Sequence, residues 1–137
     1  MGLDYSEFER YTNKFADFVE EFEEWICKFL KTEGMRFIAE VKRRTPVDTG
    51  DLRNHWKLEE VVRSGEELRV WFVNPMYYAS FVEYGHAKPY KSGAEPGSAD
   101  WVEGYFMMTV SLEVIYKKMP ARFEKAFDKF IKSLEVE

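Results

Sequence analysis

The side chains in this sequence able to do chemistry are few and scattered. His55 and His86 stand far apart, and neither sits at metal-ligand spacing from the single cysteine, Cys27; the usual zinc patterns are absent. Cys27 lies in the apolar helical stretch Trp25-Ile26-Cys27-Lys28-Phe29. A packed thiol is the plain reading there and a reactive nucleophile the sharp one. A Cys27–His86 dyad would require a buried helical thiol to meet a loop histidine. The carboxylate pairs Glu59-Glu60 and Glu66-Glu67 flank a turn and read as solvated charges rather than an acid/base pair. There is no Gly-rich phosphate loop and no nucleophile elbow. The expectation is a chain without catalytic, metal-binding or cofactor-binding residues.

Two segments do carry specified patterns. In Thr-Pro-Val-Asp-Thr-Gly-Asp-Leu-Arg, residues 45–53, Pro46 fixes φ, Asp48 can accept backbone N–H bonds, and Gly50 can take a positive φ beside Thr49. Leu52 then points to the core, and Arg53 presents a forked donor. The second segment, Tyr-Ala-Ser-Phe-Val-Glu-Tyr-Gly-His, covers residues 78–86. Its expected short helix over Tyr77 to Glu83 carries Tyr78, Phe81 and Val82 on one side. Ala79 allows close packing, Tyr84 follows the helix, and Gly85 stops it. Glu83 is the lone acid there. Either Arg53 or the Arg43-Arg44 pair engages it, or it faces water.

The elements that must position these segments follow from periodicity. Phe8, Tyr11, Phe15, Phe18, Phe22, Trp25 and Phe29 recur at spacings of three and four, which predicts a long N-terminal helix with one aromatic stripe. Ser6 and Glu9 fit a capping box, Gly34 marks a bend or break, and Lys42-Arg43-Arg44 before Pro46 suits a helix C-terminus. The stripe has three readings: the domain core, a seam against a neighbouring subunit, or a lipid-facing surface, the last disfavoured by an acidic polar face. A hairpin follows, with Trp56, Leu58, Glu60 and Val62 alternating on one strand and Leu68, Val70 and Phe72 on the other. Residues 86–100 form a loop, and Asp100 caps a helix bearing Trp101, Tyr105, Met108, Leu112, Ile115 and Tyr116. Pro120 fits the first turn of a further helix with Phe123, Phe127 and Phe130. The whole is α+β: a long N-terminal helix, a small antiparallel sheet built on a β-hairpin, a short middle helix and C-terminal helices. One domain over 1–137 divides into a helical region 1–44, the turn, hairpin and short helix 45–85, the loop 86–100, and a helical region 101–137.

Composition bounds the function. A chain of 137 residues with 45% hydrophobic and 33% charged residues belongs with ordinary soluble domains. Its 12 Phe, 8 Tyr and 4 Trp exceed what so small a core needs, and such a surplus goes to interfaces. A net charge of −5 argues against a dedicated nucleic-acid binder, though not against a wall that surrounds DNA without gripping it. No secretory signal and no apolar run of ~20 residues is present, so a cytoplasmically made protein with no membrane partner is expected.

The pattern Thr-Pro-Val-Asp-Thr-Gly-x-Leu-Arg, followed by Tyr-Ala-x-x-Val-Glu-Tyr-Gly, resembles the gene-product-ten family of HK-type tailed phages. The run Trp101-Val102-Glu103-Gly104-Tyr105-Phe106-Met107-Met108 resembles the branch found in defective Bacillus-type prophages. The resemblance implies a neck or tail-completion component of the virion at the head–tail junction. It implies a homo-oligomeric ring, with head-closure and tail-terminator or tail-tube proteins as partners and DNA passing without sequence-specific binding. His86, Pro89, Tyr90, Pro96 and Trp101 mark the long loop as a docking segment that could order on assembly. A helical dimerising protein-binding module outside any phage is the competing expectation.

Overall fold

A computed structural model of the chain describes residues 6–47 and 50–135. The side chains of Ser6, Phe8 and Tyr11, and Asp48 and Thr49 entirely, lie outside the described residues, and the expected capping box falls there too. The elements in order are α1 Ser6–Arg44, α2 Asp51–Asn54, β1 Lys57–Leu58, β2 Val62–Ser64, β3 Glu67–Arg69, β4 Phe72–Val73, α3 Ala79–Tyr84, β5 Gly85–Ala87, β6 Trp101–Glu103 and α4 Met107–Glu135. The class is α+β, with a long helix at each end and three two-stranded antiparallel sheets between them.

Helix α1, about 58 Å long at 1.5 Å per residue, holds its shape by packing, since helical propensity alone sustains little. Antiparallel α4 covers its aromatic stripe. Phe18 meets Phe130, Trp25 meets Phe127 and Phe29 meets Phe123, with ring centroids 6.2, 5.6 and 5.4 Å apart. Two helices alone leave their flanks open, so these rings stay half-buried, and Phe15 beyond them is exposed. Further along, Arg122 donates to buried Glu33 through Nε at 2.7 Å and Nη2 at 2.5 Å. That hydrogen-bonded carboxylate raises the Arg122 pKa above its ordinary value. The dry core lies beyond this pair, where Phe37, Ile38 and Val41 of α1 meet Leu52, Trp56, Met107 and Ile115.

Gly34 does not break the helix. A Cβ there would stand 2.8 Å from Leu58 Cδ1, so the glycine admits β1 against an uninterrupted helix. Pro120 likewise starts no new helix but lies inside α4. Its missing N–H leaves the Tyr116 carbonyl without a helical donor. Both residues are exposed, where water can serve that carbonyl, and the seam continues through Phe123 and Phe127.

The expected single hairpin is two ladders. Leu58 pairs with Phe72, but Val62 pairs with Arg69. The first strand therefore carries one residue more than its partner between these pairs, a β-bulge, and Glu59 N donates to Trp71 O across it at 2.8 Å. The extra residue reverses the alternation: Val61 is half-buried and Val62 exposed. The start of the last helix also differs from expectation. Residues 101–103 form β6 on β5, so Asp100 caps nothing and α4 begins at Met107.

Arg122→Ala would leave the buried Glu33 carboxylate with only the longer contact to Arg36 Nε at 3.8 Å among the ion pairs of the described residues, and should lower unfolding free energy by about 1.5–3 kcal/mol in urea titration. A loss below about 0.5 kcal/mol would mean the pair is no better than a surface ion pair.

Candidate functional site

Helix α1 ends in a fixed exit. Thr45 Oγ1 donates to Val41 O at 2.6 Å and accepts from Trp56 Nε1 at 2.9 Å, both within the core. Arg53 Nε donates to Lys42 O at 2.8 Å, which satisfies a terminal carbonyl and places a cation at the negative end of the helix dipole. Gly50 takes φ +86° to open α2, and Leu52 is buried. Asn74 joins the two motif segments: its Nδ2 donates to Leu52 O at 2.8 Å, and its Oδ1 accepts from Met76 N at 3.2 Å.

Glu83 pairs with no arginine, contrary to expectation. Arg53 is taken by the end of α1, and Arg43 and Arg44 turn back to Glu40. Their influence, the Arg44 hydrogen bond foremost, holds the Glu40 carboxyl below its ordinary pKa. Nor does Glu83 face water, being 4% exposed. Its carboxylate accepts from Met108 N at 2.8 and 2.9 Å and from Thr109 N at 3.0 Å. It therefore caps the first turn of α4 from another element, where an anion also meets the positive end of the dipole. Backbone bonds lock the approach: Tyr105 N donates to Val82 O and Phe106 N to Glu83 O. The crossing has no room for a side chain. A Cβ on Gly104 would lie 2.3 Å from Glu83 O, and one on Gly85, at φ +92°, would lie 2.5 Å from Val102 O.

These supports leave an open cleft of about 730 Å³ between the two motif segments. Pro46, Gly50 and Leu52 line one side and Tyr78 and Val82 the other. Val47, Asp51, Met76, Tyr77 and Tyr105 complete it, none of which the sequence singled out for a site. Ala79 packs against the core, and Tyr84 is exposed with its ring 6.4 Å from Phe106. Phe81 points to solvent instead of sharing the face of Tyr78 and Val82. Of the expected docking residues, His86 and Trp101 belong to the β5–β6 ladder, while Pro89, Tyr90 and Pro96 lie on its tip. The signal that could have exposed the missed residues is the glycine inside the aromatic run Trp101–Phe106, which marks a close backbone approach.

The cleft offers groups suited to packing against another surface. Its rim exposes Tyr77, Tyr105 and Val47, amphipathic and apolar groups of the kind that anchor protein interfaces. Among the described residues, no group of three or more His, Cys, Asp or Glu is placed to hold a metal, and no helix is long and apolar enough to cross a membrane. Cys27 is half-buried and borders a separate depression with Lys28, Lys31, Glu59 and Glu60.

Glu83→Ala leaves the Met108 and Thr109 amides without acceptors and should cost about 1–3 kcal/mol, with Glu83→Gln milder because the amide oxygen still accepts. Tyr77→Ala should stay within about 0.5 kcal/mol of the parent protein. Equal losses for Glu83→Ala and Tyr77→Ala in thermal unfolding would contradict the capping role.

Comparison with curated proteins and with solved structures yields no match. A family model described as "Bacteriophage HK97-gp10, putative tail-component" matches residues 6–85, which takes in α1, the first motif segment and the second as far as Gly85. The chain belongs to the HK97-gp10-like family of phage tail components.

Proposed function

We propose that this protein is a non-enzymatic part of the virion at the head–tail junction, a neck or tail-completion component that assembles as a ring. Head-closure proteins on one side and tail-terminator or tail-tube proteins on the other are its partners, and DNA passes through the ring without sequence-specific contacts. The observation that carries this reading is the cleft itself. The two motif segments of a tail-component family meet there and display aromatic contact surface, and among the described residues no group of three or more His, Cys, Asp or Glu is placed to hold a metal. A net charge of −5 suits a conduit that must not hold the DNA phosphates. The protein is made in the host cytoplasm and ends in the particle, as one domain over 1–137.

A second reading, a dimerising helical module, draws on Phe15 and Val19, exposed on the arm made by α1 and α4. An isologous pair of such arms would form without any phage partner.

Deleting the gene from the phage or prophage and imaging the particles separates the two. Full heads and finished tails left unjoined are the expected result, whereas normal virions would rule out a joining role. Replacing residues 89–99 by a tight turn should leave the isolated protein folded, because the β5–β6 ladder closes behind them, yet still prevent joining. A fall in melting temperature like that of a core substitution would show the loop to be structural instead.

A further inference from the structure

The β5–β6 hairpin carries a tip that its own chain does not use. Tyr90 is 104% exposed, and its φ is +66°, a region that a bulky side chain occupies only at an energetic cost. Among the described residues no hydrogen bond or ring contact of Tyr90 offsets that cost. Pro89 stiffens the approach, Lys91 N closes a turn onto Lys88 O at 3.0 Å, and these two lysines flank the tyrosine.

The cleft lies at the opposite end of the same ladder. Tyr105 N is bonded to Val82 O where β6 leaves β5, and both residues line the cleft. Paired rows run from Gly85–Glu103 to the Lys88 N to Asp100 O bond. At about 3.4 Å per residue they hold the tip on the order of 10 Å or more from the cleft. Tyr90 cannot enter its own cleft without breaking those rows. The two ends are nonetheless complementary: an aromatic knob between two cations, and an aromatic-rimmed hollow bordered, among the described residues, by the carboxylate-bearing Asp51.

We propose that Tyr90 of one copy seats in the cleft of the next, against Tyr77 and Tyr105, with Lys88 and Lys91 toward the Asp51 side. Donor and acceptor surfaces differ, so the contact is heterologous and repeats from copy to copy until rotation closes it. The inference rests on the reading of a self-assembling junction protein and supplies the contact that reading lacks. It also gives the strained tyrosine a role, because a tyrosine anchor in a desolvated pocket is a common interface hot spot.

Sedimentation of the full chain tests it. The parent protein should associate beyond a dimer as its concentration rises. Tyr90→Ala and Tyr77→Ala should each associate at least tenfold more weakly, with unchanged melting temperatures since both side chains are exposed. Tyr90→Gly should be as defective in association but no less stable, because glycine relieves the positive φ. Mixing Tyr90→Ala with Tyr77→Ala restores one working tip and one working cleft, so heterodimers should form and nothing larger. A parent protein that stays monomeric, variants that associate normally, or a mixture that regains large assemblies would each overturn the contact. Virions carrying Tyr90→Ala that join normally, where gene deletion leaves heads and tails apart, would overturn it and leave the junction reading standing.

Discussion

The first amides of α4 must find acceptors in a place where water is scarce, and Glu83 supplies them. A helix of 29 residues leaves its initial N–H groups without partners unless something caps them. The residues just before Met107 cannot do so: Phe106 has no side-chain acceptor, and Gly104 has no side chain. The acceptor comes from α3, some twenty-five positions earlier. That single choice fixes α3 against α4. It also presses Gly85 onto Gly104 with no space for a Cβ and launches β5–β6 from the junction. The cleft is formed on the face of α3 that the cap does not use, by Tyr78 and Val82. Capping, glycine contact and cleft are consequences of one buried carboxylate.

The rest of the molecule divides into a dry core and a thinner arm. Around Phe37, Trp56 and Met107 helices and strands close on every side, so side chains are fully covered. Along Phe18, Phe22 and Trp25 only two helices meet, and the rings stack at 5–6.5 Å centroid distances while their flanks remain open. Aromatic residues suit that setting, since they give large contact area to a seam one layer deep. The Glu33–Arg122 pair stands where arm becomes core. A buried ion pair adds little net stability over an apolar one but is costly to mispair, so it sets the register of the two helices where aromatic packing alone would tolerate slippage.

Much of this was legible in the sequence because it is periodic. Spacings of three and four placed α1 and the stripe of α4, and the turn chemistry of Pro46, Gly50 and Gly85 placed the motif segments. What escaped is what depends on contacts distant in sequence. Pro120 reads as a boundary in sequence, yet solvent can serve the carbonyl it deprives and the flanking aromatics keep the helix going. The bulge between Leu58 and Val62 has no local signature, and its one extra residue reversed the faces of the first strand. In sequence Glu83 reads either as the partner of an arginine or as a solvated acid, because charge complementarity and polarity are visible in one dimension, whereas a helix N-terminus that arrives from the far side of a loop is not. The aromatic spacing of Asp100–Phe106 predicts helix. These residues form strand and crossing because Gly104 lets two backbones touch.

A ring built from heterologous contacts places a particular demand on each contact. The first copies to meet must bear the full entropic cost of association, but the last contact closes within an existing chain of subunits. Its effective concentration there is of the order of millimolar when the geometry fits. Individual contacts can then be weak enough for dilute protein to stay dispersed, associating as its concentration rises, and strong enough for the closed ring to persist. One anchored tyrosine with flanking charges is a contact of that scale, unlike the wide apolar faces of obligate dimers. A stem that holds the anchor in a costly conformation limits association further in free solution, because the rigid tip must meet a correctly oriented cleft. On the proposed contact the protein associates in solution only as its concentration rises, and it assembles most readily where copies are already gathered on a symmetric template.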